Sequence, residues 1–88
     1  MTFKPENVND FLAAFERKKT MIASFEGCKS VKLLRDISDT NTFFTYSEWI
    51  DENTLEKYRN SELFISTWDE VKKFFGDKPL AWSVRVID

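Results

Sequence analysis

The sequence predicts a single α+β domain, because patterns typical of helices and of strands follow one another along its 88 residues. In two long stretches the apolar residues recur every three or four positions, as in amphipathic helices. Elsewhere they alternate with polar residues or cluster with β-branched and aromatic ones, as in strands. With 42% apolar residues, two glycines and two prolines, the chain has the composition of a folded domain and not of a disordered one. We therefore treat residues 1–88 as one domain.

The first predicted helix covers residues 7–26. Its apolar residues form one stripe, at intervals of three and four. They are Val8, Phe11, Leu12, Phe15, Ile22 and Phe25. Asn7 followed by Asp10 resembles a capping pair at the start of this helix, and Gly27 provides a stop.

A β-hairpin is predicted next. Residues 30–36 and 42–50 are rich in β-branched and aromatic side chains, which favour strands. Between them lie Ser38, Asp39, Thr40 and Asn41, all of which favour turns. The two strands are therefore expected to pair in an antiparallel manner.

The second predicted helix is broken. Asp51 is a suitable N-cap, but the apolar residues on either side of Asn60 and Ser61 lie on different stripes. Those on the later stripe are Phe64, Trp68, Val71 and Phe75. Because Ser61 could cap a new helix, the pattern predicts a short helix, a bend, and a longer helix ending at Gly76.

Strands are predicted at both ends of the chain, and the first of them is short. Residues 80–87 alternate with a period of two, and residues 1–4 could form a first strand before Pro5 withdraws a backbone donor. The order βαββαβ is the ferredoxin-like arrangement, in which the first strand lies inside an antiparallel sheet. Four residues cover only about 13 Å of that strand. Either the natural start lies upstream of Met1, or a partner chain pairs with the exposed strand edges.

Composition excludes several classes of function. A net charge of −2 lacks the basic excess that nucleic-acid binding requires, and no apolar run is long enough for a membrane span or a signal peptide. One cysteine cannot form an internal disulfide, so we expect a cytoplasmic protein. The complete absence of histidine removes histidine-based zinc sites, nucleophile pairs and haem ligands from this chain.

Four motifs in order between residues 25 and 64 carry a resemblance to a known family. They are residues 25–28 (FEGC), 33–36 (LLRD), 44–49 (FTYSEW) and 55–64 (LEKYRNSELF). Together they resemble the antibiotic biosynthesis monooxygenase family. The resemblance implies a ferredoxin-like subunit in a homodimer, whose two sheets face one another as a dimeric α+β barrel. A sheet with helices on one face also needs a cover for its other face, which a second copy would supply.

The resemblance further implies a small-molecule pocket between sheet and helices. Tyr58 occupies a position that is histidine in many members, and Trp68 corresponds to the haem-ligating histidine of the haem-degrading branch. Arg59 is the third catalytic candidate, because a guanidinium can offset developing negative charge. The candidates for substrate binding are Phe15, Tyr46, Glu48 and Phe64.

Two functions follow from the resemblance. The first is a cofactor-independent monooxygenase, without metal or flavin, that acts on an aromatic polyketide- or quinol-like molecule. Such an enzyme holds an electron-rich ring, stabilises its oxyanion and excludes water. Without histidine, the base would be a carboxylate such as Glu48, or bulk hydroxide acting on an acidic substrate. The second is a non-catalytic dimer that binds the same kind of small aromatic molecule.

Each candidate residue also has a structural interpretation. Tyr58 is equally well explained as a core aromatic residue, and Trp68 is in phase with a core stripe. Glu48 could pair with Arg35 across the hairpin. Cys28 is expected to be a small buried group and not a reactive thiol.

Overall fold

The computed structural model describes residues 1–87 and contains the predicted elements in the predicted order, except at its C-terminal end. Helix α1 spans Val8–Ala23, strands β1 and β2 span Cys28–Arg35 and Phe43–Trp49, and helices α2 and α3 span Glu52–Arg59 and Glu62–Val71. Single 3-10 turns lie at Pro5–Asn7 and Lys72–Phe74. The α+β class, the antiparallel hairpin and the broken second helix are thus confirmed.

Helix α1 buries the predicted apolar stripe. The residues that it contributes to the core are Val8, Phe11, Ala14, Phe15 and Ile22. The predicted capping pair is wrong, because the Asn7 Nδ2 donates to Asp10 Oδ2 at 3.0 Å and neither side chain caps the backbone. After the helix, Gly27 adopts a φ of 84°, a left-handed conformation that glycine reaches without strain.

Strands β1 and β2 form a two-stranded antiparallel ladder. Val31, opposite Ser47, and Phe43, opposite Arg35, are buried against the helices. Glu48 is opposite Ser30, so it lies on the other face and at the other end of the hairpin from Arg35. The proposed pairing of Glu48 with Arg35 is therefore wrong.

Arg35 is instead held at its own end of the hairpin. Its guanidinium carbon lies 4.9 Å from the centre of the Phe43 ring, and its Nε donates to the Thr40 carbonyl oxygen at 2.7 Å. A cation over a ring face is attracted by the ring's negative quadrupole.

Both predicted caps of the broken helix are confirmed. Asp51 Oδ1 accepts from the Thr54 backbone N–H at 2.8 Å, and Ser61 Oγ accepts from that of Phe64 at 3.1 Å. The regular helix α3 ends earlier than predicted, at Val71, because the next turn is 3-10 and the chain is extended at Phe75. Phe75 then pairs with Phe3 in an isolated antiparallel bridge.

The N-terminal strand is as short as predicted. The Met1 amino group donates to the Phe43 carbonyl oxygen at 2.9 Å, and the Phe43 N–H donates to the Met1 carbonyl oxygen at 2.7 Å. Thr2 forms a single antiparallel bridge with Thr42, and Phe3 forms one with Phe75. The predicted last strand, residues 80–87, is not formed in the described part of the chain. Among the described residues, this segment forms no backbone hydrogen bond with another strand.

The core lies between α1, the hairpin and α3. Phe3 is 1% exposed, and its ring stacks on Phe11 with centroids 4.0 Å apart. Phe43 and Val71 bring β2 and α3 to the same core. Within residues 1–87, no helix has the length and apolar character needed to cross a membrane.

Candidate functional site

Tyr58 lies at the centre of an aromatic cluster formed by Phe25, Trp49, Tyr58 and Phe64. Its ring stacks on Trp49 at a centroid distance of 5.1 Å. Phe25 and Phe64 form edge-to-face pairs with the Tyr58 ring, at centroid distances of 5.3 and 5.2 Å. The cluster joins the turn after α1, the end of β2 and both halves of the broken helix.

Two local features bring α2 against the start of β1. The bend after Tyr58 is fixed by Ser61, whose hydroxyl donates to the Tyr58 carbonyl oxygen at 2.6 Å. Gly27 approaches Thr54 so closely that an added Cβ would lie 2.4 Å from the Thr54 Cβ. Because Gly27 has no side chain, α2 can pack here and Tyr58 can reach Cys28.

Burial keeps the hydroxyl of Tyr58 and the thiol of the nearby Cys28 protonated. Burial, with a smaller contribution from Cys28, raises the pKa of Tyr58 to about 12. Burial also raises the pKa of the Cys28 thiol, which donates to the Ser30 carbonyl oxygen at 3.6 Å. At neutral pH Tyr58 is therefore a hydrogen-bond donor on an apolar ring, suited to an anionic oxygen and unsuited to act as a base.

Trp68 extends the row of rings beyond this cluster. Its ring is nearly parallel to that of Phe64, with centroids 6.4 Å apart, and its centroid lies 5.4 Å from that of Phe75. Within the described residues, Trp68 and Tyr58 do not form an aromatic pair. Trp68 is 38% exposed, so it is not the core residue that its phase suggested.

A second feature is an open groove of about 1040 Å³ between β2, α2 and residues 82–86, which we call the edge groove. Tyr46, Glu48 and Arg59 all line it. Arg59 extends toward the C-terminal segment, where its guanidinium donates to Ser83 Oγ at 3.5 Å.

The fold is shared with several solved structures. A protein of Bordetella bronchiseptica, titled a "Putative antibiotic biosynthesis monooxygenase", matches with a TM-score of 0.85 and 20% identity, over 99% of this chain and 91% of its own. A conserved protein of Methanosarcina mazei matches with a TM-score of 0.82 and 19% identity, over 88% of this chain and 76% of its own. These structural similarities confirm the ferredoxin-like fold.

The sequence model of the family described as antibiotic biosynthesis monooxygenase matches residues 1–70. The chain belongs to this family. A curated protein of Natronomonas pharaonis with the name "Putative heme-binding protein" is 26% identical over 78 residues. The match covers 89% of this chain but only 13% of that relative.

In this member of the family, the candidate residues occupy three different places. Tyr58, Phe64 and Trp68 belong to the row of rings, while Tyr46, Glu48 and Arg59 line the edge groove. Phe15 is buried in the core. Glu48 lies on the face of the hairpin opposite to Tyr58, so these two side chains do not meet.

The edge groove also contains residues that the sequence analysis did not single out. Trp82, Ser83, Val84 and Arg85 form its C-terminal wall. Their alternation was recognised as a strand signal, but a strand signal does not say which side chains face a groove. That information depends on the path of the chain after Gly76.

Haem does not fit the residues of the aromatic cluster. Haem iron is held in proteins by histidine, a cysteine thiolate, methionine or tyrosine. The chain has no histidine, and the raised pKa values of Cys28 and Tyr58 disfavour their anionic, ligating forms. We therefore derive no chemistry through haem.

Proposed function

We propose that this family member is a cofactor-independent monooxygenase of an electron-rich aromatic molecule, of the aromatic polyketide or quinol type. The observation that supports it most is Tyr58, a phenol kept neutral at the centre of an aromatic cluster. A flat apolar surface with one hydrogen-bond donor suits a phenolic ring whose oxygen becomes negative.

The proposed reaction needs no group beyond the substrate and oxygen. The deprotonated phenol gives one electron to oxygen, and the phenoxyl radical and superoxide combine into a peroxide anion at a ring carbon that bears hydrogen. This anion takes up a proton from solvent, which replaces the one that the phenol lost, and becomes a hydroperoxide. Loss of water leaves a carbonyl, so one oxygen atom enters the product and the other leaves as water. Tyr58 would stabilise the phenolate by donating a hydrogen bond, and the neighbouring rings would exclude water.

Of the two bases that the sequence suggested, we favour hydroxide from bulk solvent. Because Glu48 lies on the opposite face of the hairpin, it is not placed to deprotonate a ring held by Tyr58. An acidic phenol would lose its proton to solvent before it binds. Turnover would then rise with pH through the substrate's own pKa.

Oxygen consumption with a panel of hydroquinones and anthrone-like phenols tests the proposal. Tyr58→Phe keeps the ring but removes the donor, and we expect it to lower kcat/KM by about 100-fold, which is typical of the loss of one oxyanion donor. Ser66→Ala is a matched control, because it removes an exposed hydroxyl that donates to the Leu63 carbonyl oxygen within its own helix. Equal activity of the wild type and Tyr58→Phe would contradict the role of Tyr58.

The second candidate is a non-catalytic protein that binds the same class of ligand. It is favoured by the absence of histidine and by the close packing of Tyr58 against three other rings. Absence of turnover with every substrate in the panel, together with binding of an aromatic ligand by equilibrium dialysis, would favour this candidate.

We also propose that the protein is a homodimer. The hairpin face away from the helices exposes Leu34, Phe44 and Tyr46, each between 44% and 46%. A second copy on this face would remove three adjacent apolar side chains from water. Phe44→Glu should yield a monomer in sedimentation experiments, whereas Met21→Glu, at a similarly exposed position on α1, should leave the dimer intact. A monomeric wild type at micromolar concentration would contradict this proposal.

We propose a cytoplasmic location for the same domain. Its one cysteine is a half-buried thiol with a raised pKa, which a reducing compartment preserves. Cell fractionation with a tagged chain would test this, and recovery outside the cytoplasm would contradict it.

A further inference from the structure

Arg59 is a cation whose polar contacts in the edge groove are weak. Its Nη2 donates to Ser83 Oγ at 3.5 Å, and its Nη1 lies 3.9 Å from Glu56 Oε2. Because charge-assisted hydrogen bonds of a guanidinium are about 2.7–2.9 Å long, both contacts are longer than a good bond. The Arg59 side chain is 41% exposed and that of Glu56 is 65% exposed. An exposed ion pair contributes little free energy, so an anionic ligand can replace Glu56 at little cost.

The position of Arg59 on α2 directs its side chain to the edge groove and away from the aromatic cluster. Successive residues of a helix are about 100° apart around its axis, so Tyr58 and Arg59 leave α2 in different directions. Tyr58 packs against Trp49 in the cluster. Arg59 lines the groove together with Leu55, which lies one turn earlier on the same face of α2. Arg59 therefore belongs to the groove, and Tyr58 belongs to the cluster.

Apolar side chains lie close to this cation on both walls of the groove. On α2, Leu55 is half-buried and lies about 6 Å from Arg59 along the helix axis. On the C-terminal wall, Trp82 is 71% exposed and directly precedes Ser83, which Arg59 contacts. A flat ring between Leu55 and Trp82 would remove apolar surface of both walls from water.

The charges of the groove are unevenly placed. Asp51 and Glu52 lie at the start of α2, about 10–12 Å from Arg59 along the helix axis. Arg85 lies two residues beyond Ser83, at most about 7 Å along the chain from the residue that Arg59 contacts. The end of the groove at Arg59 is therefore basic, and the end at the start of α2 contains the acidic side chains.

We propose that the edge groove is a binding site for an aromatic carboxylate, separate from the aromatic cluster. The Arg59 guanidinium holds the carboxylate through two parallel N–H···O bonds, a geometry that its planar fork matches. The aromatic ring lies between Leu55 and Trp82. This site goes beyond the proposed oxygenation, because binding here needs neither the Tyr58 hydroxyl nor turnover.

The surroundings of Arg59 favour a ligand with one negative charge. The groove lining carries three acidic and three basic side chains, which are Glu48, Asp51, Glu52, Lys29, Arg59 and Arg85. Their formal charges cancel, so the lining has no excess of cations for a dianion. Glu56 is also close to Arg59 and would repel a second negative charge on the ligand. A carboxylate is therefore preferred to a phosphate.

Equilibrium dialysis with naphthoate, naphthamide and naphthyl phosphate tests the charge requirement. The three probes share one ring system, but naphthamide is neutral and the phosphate carries most of a second negative charge at neutral pH. We expect naphthoate to bind about tenfold more tightly than naphthamide, and also more tightly than the phosphate. Equal affinity for naphthoate and naphthamide, tighter binding of the phosphate, or no binding of naphthoate at millimolar concentration would overturn the proposal.

Substitutions on α2 test which residue holds the carboxylate. Arg59→Gln should weaken naphthoate binding about tenfold and leave naphthamide binding unchanged. Lys57→Gln is the matched control, because it removes the same charge from a position about 200° around the helix axis, beside Asn60. Tyr58→Phe should bind naphthoate as the wild type does. Equal weakening by Lys57→Gln and Arg59→Gln, or loss of binding in Tyr58→Phe, would overturn the proposal.

The indole N–H signals of the tryptophans locate the bound ring by NMR. Trp82 lines the edge groove, whereas Trp68 belongs to the row of rings. We expect naphthoate to shift the Trp82 signal more than the Trp68 signal. The opposite order would place the ligand on the row of rings and would overturn the proposal.

Discussion

Tyr58 stacks on Trp49 with ring centroids 5.1 Å apart and ring planes inclined by 27°. The contact joins the last turn of α2 to the last residue of β2. It is therefore both the centre of the candidate site and a tertiary contact that holds the broken helix on the hairpin.

Replacing Trp49 should destabilise the protein. Trp49→Ala removes the contacts with Tyr58 and Phe25, and we expect the free energy of unfolding to fall by about 2–3 kcal/mol, less than for a fully buried tryptophan. Trp49→Phe should cost about 1 kcal/mol or less, because a ring remains. Urea unfolding followed by circular dichroism measures both. Trp82→Ala, at an exposed position, is the control and should change stability by less than about 0.5 kcal/mol.

The raised pKa of Tyr58 predicts a loss of stability at alkaline pH. The pKa rises from 10.0 in the unfolded chain to about 12 in the folded protein. The folded state therefore holds this proton more tightly, so the associated stability is complete below pH 10.0 and is lost as the pH rises toward about 12. Thermal unfolding between pH 9 and pH 12 should show a smaller decrease for Tyr58→Phe than for the wild type. A tyrosinate absorbance titration in which Tyr58 ionises at its unshifted pKa of 10.0 would contradict its burial.

Gly27 should not tolerate a side chain. Gly27→Ala places a Cβ at a φ of 84° and 2.4 Å from the Thr54 Cβ, so α2 would have to move. We expect a loss of about 2 kcal/mol or more in the free energy of unfolding.

Gly76→Ala is the matched control for Gly27→Ala. The φ of Gly76 is not positive, and a Cβ added there would lie 3.2 Å from its nearest neighbour, the Lys4 backbone nitrogen. It should therefore cost less. Equal losses for the two variants would show that the approach of Gly27 to Thr54 is not required.

The two caps of the broken helix should contribute similar stability. Asp51→Ala and Ser61→Ala each remove a side-chain acceptor for a helix N–H, and we expect each to cost about 1 kcal/mol. Asn7→Ala is the control, since the Asn7 side chain bonds to Asp10 and caps nothing. If Asn7→Ala were as destabilising as the other two, the assignment of the caps would be wrong. Denaturant unfolding measures all three.

Local signals in the sequence predicted the helices and the hairpin well, because their causes are local. Ser61 caps α3 where the apolar stripe slips, and the turn residues separate the two strands where expected. The last strand is not formed in the described residues, because a strand depends on backbone partners that are distant in sequence, and an alternating pattern does not supply them.

The candidate site was predicted less completely for the same reason. The motif positions identified Tyr58, and its place among other rings agrees with a pocket residue as well as with a packing residue. The separation of Glu48 from both Arg35 and Tyr58 follows from the register of β1 and β2. A side-chain period of two shows which residues share a face of one strand, but it does not fix which residue lies opposite on the next strand.

The break at Asn60 and Ser61 has a consequence for the order of folding. Helix α2 has eight residues and α3 has ten, and isolated helices shorter than about 12–15 residues are marginal in water. Helix α1, with sixteen residues, exceeds that length. We therefore expect Tyr58 to reach its position after α1 and the hairpin have formed a surface on which the two short helices can dock. We therefore expect the two short helices and the candidate site to open more readily in the native state than α1.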